Sequence, residues 1–312
     1  MPRSLAMEIL SAIASASRTR RSGDDGPDLE RDFPVGEFDR LEIAAPFDVD
    51  IETGGAANVH ASGPEWALDS VRVELQGERL FIGCDGDCDG SDISMSVSVP
   101  ALRGLRMAGS GDVSVDKLTG DAFDSASSGS GDLSIESIDV RSLKHSSAGS
   151  GDVSIDWIRS DQVEVAIMGS GDLSVDAVDS AEFRLTMNGS GDSRIGEYSG
   201  ERLQAALTGS GDAAFGRLEA ATVQIAAFGS GDVLIEDGRS QTARIETSGS
   251  GDISSEGAEF AEASISVCGS GDISARVTER ADIAIMGSGD VSVVGGAKCT
   301  VSGGGSGNVC CS

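Results

Sequence analysis

The sequence predicts an all-β protein, a parallel β-helix (solenoid) of about 11 coils preceded by an irregular β-rich N-terminal part. Three observations carry that prediction. Gly-Ser-Gly-Asp occurs at 109–112 and returns every 20 residues through 269–272, then as GSGD at 287–290 and GSGN at 305–308, a spacing of 18. Apolar and polar residues alternate on both sides of each corner, the period-2 pattern of a strand with one buried face. Hydrophobic content is 39% but aromatic content only 4%, so the core must be built from Val, Ile, Leu and Ala columns.

Taken in order, residues 1–31 read either as an export signal or as a tail and linker. Arg3 precedes a weakly apolar run from Leu5 to Ala16 that ends in Ala14-Ser15-Ala16, as a cleavage site would, but Glu8 interrupts it and residues 17–31 are polar. The domain proper spans 32–312, with a β-rich part at 32–100 and the repeats at 101–312. Phe38, Leu41 and Ile43, then Phe47, Val49 and Ile51, alternate as strands. Pro64 opens a short helical turn over 64–68. Residues 71–75 and 80–82 form a hairpin around Gln76-Gly77-Glu78, 84–91 is an acidic loop, and 92–99 is a strand ended by Pro100.

Counting each coil from the first Gly of its corner, apolar residues occupy positions five and seven (Val153, Ile155), often ten (Ile158), and fifteen, seventeen and nineteen (Val163, Val165, Ile167). This predicts two period-2 strands per coil. One coil cannot bury its apolar face alone, whereas coils stacked at ~4.8 Å do so and pair each strand with its equivalents above and below. A β-propeller would need ~40 or more residues per blade, and nothing distinguishes odd from even repeats.

The lead-in RDFPVGEFDRLEIAAPFDVDIETGG, the segment SVSVPALRGLRMAGSGDVSV and the serial GSGD corners resemble the bacterial autotransporter-adhesin head GIN domain family over about residues 32–312. The resemblance implies a β-helical, exported or envelope-associated protein. It implies no established biochemical activity.

Stacking places Asp112, Asp132, Asp152, Asp172, Asp192, Asp212, Asp232, Asp252, Asp272 and Asp290 in one column. At ~4.8 Å neighbouring carboxylates repel by about 0.9 kcal/mol in bulk water and by about 3.5 kcal/mol at an effective dielectric of about 20. Hydration, protonation, corner N–H groups or cations between coils could relieve this. Calcium takes six to eight oxygens from carboxylates, carbonyls and water, so the column is a candidate Ca²⁺ site. Neither the nine-residue calcium repeat nor an EF-hand loop is present, and the primary expectation is no cofactor. A second row of Ser114, Ser134, Ser154, Ser174, Ser254, Ser274 and Ser292 offers an outward hydroxyl lattice.

Of the two histidines, His145 falls at an inward position beside Ser125, Ser127 and Ser147, which predicts a buried polar pocket rather than a nucleophile. Cys84 and Cys88 flank an acidic loop and are expected to pair. Cys299 and Cys311 both fall at inward positions of the C-terminal coils, where a bridge would staple the solenoid's end. Trp157 is expected to point outward.

Lys plus Arg number 23 and Asp plus Glu 52, a net charge of −29, which repels nucleic acid and anionic membranes. No stretch approaches the ~18 apolar residues of a spanning helix. The unbroken spacing leaves no room for the corner loops that carbohydrate-active β-helix enzymes use to wall a groove. Together with what the resemblance implies, the expectation is a non-catalytic exported or envelope protein with a cell-surface or glycan partner. The alternatives are a Ca²⁺-binding solenoid and a carbohydrate-active enzyme.

Overall fold

The computed structural model describes residues 28–86 and 93–312. The chain opens with β1 (Asp28–Phe33), β2 (Arg40–Ala44), β3 (Asp48–Thr53), β4 (Asn58–Pro64), the single-turn helix α1 (Glu65–Leu68), β5 (Val71–Gln76), β6 (Arg79–Cys84), β7 (Ser94–Val99) and β8 (Gly104–Gly109). Seven strands of 17 residues follow: β9 (Val113–Gly129), β10 (Leu133–Gly149), β11 (Val153–Gly169), β12 (Leu173–Gly189), β13 (Ser193–Gly209), β14 (Ala213–Gly229) and β15 (Val233–Gly249). The shorter β16 (Ile253–Val267), β17 (Ile273–Ile285), β18 (Val291–Val294), β19 (Lys298–Gly303) and β20 (Val309–Cys311) complete the stack, a parallel β-solenoid of about 10 turns.

Each residue of a 20-residue coil pairs in parallel with its counterpart one coil on: Leu133 with Val153, Leu143 with Val163, Val153 with Leu173. The step to 18 is local. Ser255 pairs with Ala275, but Glu259 pairs with Arg276 and Glu262 with Arg280, so the shortening falls between 255 and 262.

The coil has three inward-facing runs, not the two strands expected. In β10, Leu133 and Ile135 point in, then Ile138 and Val140, then Leu143, His145 and Ser147. Two three-residue steps, from 135 to 138 and from 140 to 143, interrupt the alternation and turn the chain without ending the strand. The middle run was hidden because its second member, position twelve, is chemically mixed: Val140, Ser160, Ser180, Ser240 and Phe260 are all buried there. Ser160 and Ser240 remain compatible with burial because each hydroxyl donates to a carbonyl two residues on, Gln162 O at 2.9 Å and Thr242 O at 3.0 Å. Tyr198 is buried at position ten, donates to Arg202 O at 2.8 Å, and has its phenol pushed up to about 12 by burial.

The N-terminal part departs from chain order. β2 lies between β6 and β8, and β3 between β7 and β9. The chain thus lays one coil at 40–53, moves outward to build a second from β6 and β7, and returns across the first to start the repeats. β4 and β5 pair antiparallel with β7 and β6 as the next layer, joined through α1. The polar segment expected to be linker as far as residue 31 already contains β1, antiparallel to β4. Its side chains are mostly exposed, so it carries no alternation signal, and Arg31 anchors it by donating to Leu68 O at 2.8 Å and pairing with Asp69. The signal-or-tail reading falls mainly on residues 1–27, and most of the acidic loop on 87–92, outside the described residues.

Candidate functional site: an aspartate ladder and its groove

The corner is built by close approach. A Cβ on Gly209 would stand 1.9 Å from Gly189 O, and one on Gly211 1.9 Å from Gly191 O. Gly209 additionally has φ +135°, a conformation that disfavours side chains. Both glycines are therefore set by the stacking of corner on corner.

That approach converts the aspartate column into a hydrogen-bonded ladder. The backbone N–H of Asp132 donates to Asp112 Oδ1 at 2.8 Å, and the same bond recurs at every step to Asp290, between 2.7 and 2.8 Å. The ladder extends past the motif at both ends. Asp112 N–H donates to Asp48 Oδ1 at 2.9 Å, and Asn308 donates to Asp290 Oδ1 through its backbone N–H at 2.7 Å and Nδ2 at 3.1 Å. Asp48 was missed because its corner reads Ala45-Pro46-Phe47-Asp48, without glycine. The alternation that follows, Val49-Asp50-Ile51, was the available signal.

The magnitudes explain why the column is tolerated. Each added coil brings one more neighbour repulsion of about 0.9 kcal/mol when solvent-screened at ~4.8 Å, and one more hydrogen bond to a charged acceptor, worth about 1.5–3 kcal/mol. The aspartates are exposed. At bulk-water screening the bond outweighs the repulsion, and at an effective dielectric of about 20, where the repulsion is about 3.5 kcal/mol, the bond offsets most of it. Among the described residues no group of three or more His, Cys, Asp or Glu side chains is arranged to hold a metal ion.

Beside the ladder runs a groove. One wall is the aspartate column, the other the outward sixth-position column, and the floor is the fifth-position backbone. From Asp152 to Asp252 it encloses about 760 Å³, and a further trough continues to Asn308 and Cys310.

The remaining candidates lie apart. His145 is buried, its Nδ1 is 2.8 Å from Ser125 Oγ, and burial lowers its pKa to about 4. Ser127 Oγ and His145 Nε2 are buried without hydrogen-bond partners among the described residues. His60 pairs with Asp32 at 2.9 Å. Trp157 is half-buried under the Arg159 guanidinium, 4.7 Å from its ring centre. Cys299 and Cys311 form a disulfide with a Cα–Cα distance of 6.6 Å. Cys84 is disulfide-bonded; its expected partner, Cys88, lies outside the described residues. No helix among the described residues is long and apolar enough to cross a membrane.

The family model described as "putative auto-transporter adhesin, head GIN domain" matches residues 37–195, 146–236 and 194–297. The chain belongs to this family. Among solved structures, the head GIN chain is similar to a "putative adhesin" from Parabacteroides merdae, at 14% identity over 92% of this chain and 97% of that one, TM-score 0.45. A "putative adhesin" from Parabacteroides distasonis shares 16% identity over 92% and 98%, TM-score 0.42. A "putative lipid binding protein" from the same organism shares 18% over 92% and 98%, TM-score 0.35. Among curated proteins the chain has no match.

Proposed function

We propose that this head GIN domain is a non-catalytic, adhesin-like binding module presented at the cell envelope or secreted. The observation that carries the reading is the flush corner. From Leu133 to Gly249 each coil pairs with the next at a constant offset of 20, and no loop rises from a corner to wall a catalytic cleft. Binding is then left to long parallel columns of side chains, a surface suited to a repetitive partner. The Ser125–His145 pair, expected from the sequence to be a buried polar pair, faces the interior. A glycan array run together with a reducing-sugar release assay tests the reading. Retention of a glycan or cell-surface ligand without product release supports it; turnover of any bound glycan would overturn its non-catalytic part.

A further inference from the structure

The groove beside the ladder changes character at its centre. Along most of the repeat its second wall is serine, as at Ser154, Ser174 and Ser254. Three successive coils replace it with Arg194, Ala214 and Leu234. In two of the same coils the acidic eighth position becomes Gly196 and Gly216. Arg194 and Leu234 are exposed and Ala214 is half-buried on the same outward column, so the core does not demand the change there. At Gly196 and Gly216 a Cβ would crowd the carbonyl of the coil before, so those two glycines follow from the stacking. Arg194 reaches two coils along the solenoid axis to Glu236, 3.8 Å away and outside the groove lining, and it is the one cation among the lining residues. Everything else charged along the groove is carboxylate.

We propose that this groove docks an extended, proline-rich polypeptide segment in the polyproline II conformation, with Arg or Lys at every third residue. The inference rests on the reading of the domain as a non-catalytic binding surface. Three physical constraints select that occupant. The charge must be positive, because six carboxylates from Asp152 to Asp252 form one wall. The occupant cannot add as a β-strand, because it would run along the solenoid axis and the solenoid's strand amides are already paired with the neighbouring coils.

The third constraint is register. Two coils span about 9.4–9.8 Å. Three residues of polyproline II span about 9.3 Å, so every third residue meets every second aspartate. An extended strand repeats its facing side chains every ~6.6–6.8 Å and falls out of step. An α-helix brings a facing side chain round every ~5.4 Å, which also falls out of step with coils ~4.8 Å apart. The apolar stretch at Ala214 and Leu234 then faces the prolines between the cations.

The test uses the full domain and two fluorescent peptides of equal arginine count, one with arginine at every third residue among prolines and one at every second. Fluorescence anisotropy at low ionic strength should give at least tenfold tighter binding for the first peptide, weakening as salt is raised. The combined change Asp192→Asn, Asp212→Asn and Asp232→Asn should weaken it about tenfold or more while keeping or raising the melting temperature, because the amide oxygen can still accept the ladder N–H and the repulsion is relieved. Arg194→Ser, which restores the repeat, should tighten binding about threefold by removing a like charge of surface strength. Equal affinity for the two peptides, indifference to the triple change, or no binding of the third-residue peptide would each overturn the proposal. If the triple variant fails to fold, the peptide pair on the native protein and Arg194→Ser still decide it. A cytoplasmic location would remove the adhesin reading without touching the peptide result, so the two fail separately.

Discussion

Replacing Asp212 separates the two energies that meet at the ladder. Asp212 Oδ1 accepts the Asp232 N–H at 2.7 Å, and its own N–H donates to Asp192 Oδ1 at 2.8 Å. In Asp212→Ala the second bond survives and the first is lost, costing about 1.5–3 kcal/mol. Two neighbour repulsions of about 0.9 kcal/mol each, at ~4.8 Å in screened solvent, vanish with the charge. The net change is therefore small, from near zero to about 1 kcal/mol destabilising. In Asp212→Asn the repulsions vanish and a weaker, neutral acceptor oxygen remains, so the variant should be more stable than the parent by about 0.5 kcal/mol at low ionic strength, less at high salt. The Asn-versus-Ala difference, about 0.5–1.5 kcal/mol for a bond to a neutral acceptor, isolates the hydrogen bond. Because solenoids unfold in segments, the readout should be local: amide hydrogen exchange at Asp232, supported by denaturant melts. Asn and Ala variants that exchange alike would refute the ladder. So would a melt that rises in millimolar calcium or falls in EDTA, since the carboxylates would then be held by cations.

Three further outcomes follow from buried or crowded groups. His145 is neutral in the folded state with a pKa lowered to about 4 against an ordinary 6.5. The unfolded chain therefore takes up its proton first, and about 3 kcal/mol of stability is lost as pH falls from 6.5 to 4; His145→Leu should flatten that part of the pH–stability curve, and an unchanged slope would contradict the assignment. Gly211→Ala places a methyl against Gly191 O and should cost about 3 kcal/mol or more by overpacking, seen as faster exchange in the coils on either side; a native-like melt would contradict the close-approach account. Reducing Cys299–Cys311, which closes a short loop, should release about 3 kcal/mol of constraint, raising exchange at 298–311 and leaving β10 to β15 unchanged.

Much of the solenoid was legible because a 20-residue period repeats one local decision many times. Positions five, seven, fifteen, seventeen and nineteen declare themselves by alternation. Position twelve does not, since a Ser such as Ser160 can satisfy its hydroxyl inside the coil and so stands where Val140 and Phe260 also stand. The insertion of β2 and β3 between later strands was illegible for a different reason: which coil lies next to which is a pairing property, and chain order supplies it only inside a strict repeat. At the site, the aspartate column could be placed from spacing alone. Its chemistry could not, because the direction of the Asp132 N–H depends on how closely Gly129 and Gly131 bring the corner to the coil before. The break in the serine wall at Arg194, Ala214 and Leu234 was present in the sequence all along, but it carries meaning only once those positions are seen to line a groove.

The claim at the centre of the account is that these columns face a partner outside the cell. Protease accessibility on intact producing cells, with fractionation of envelope and cytoplasm, tests it most directly. The domain should be found in the envelope or medium, either cleaved on intact cells or released with the secreted fraction. A domain found in the cytoplasmic fraction and protected until lysis would contradict it.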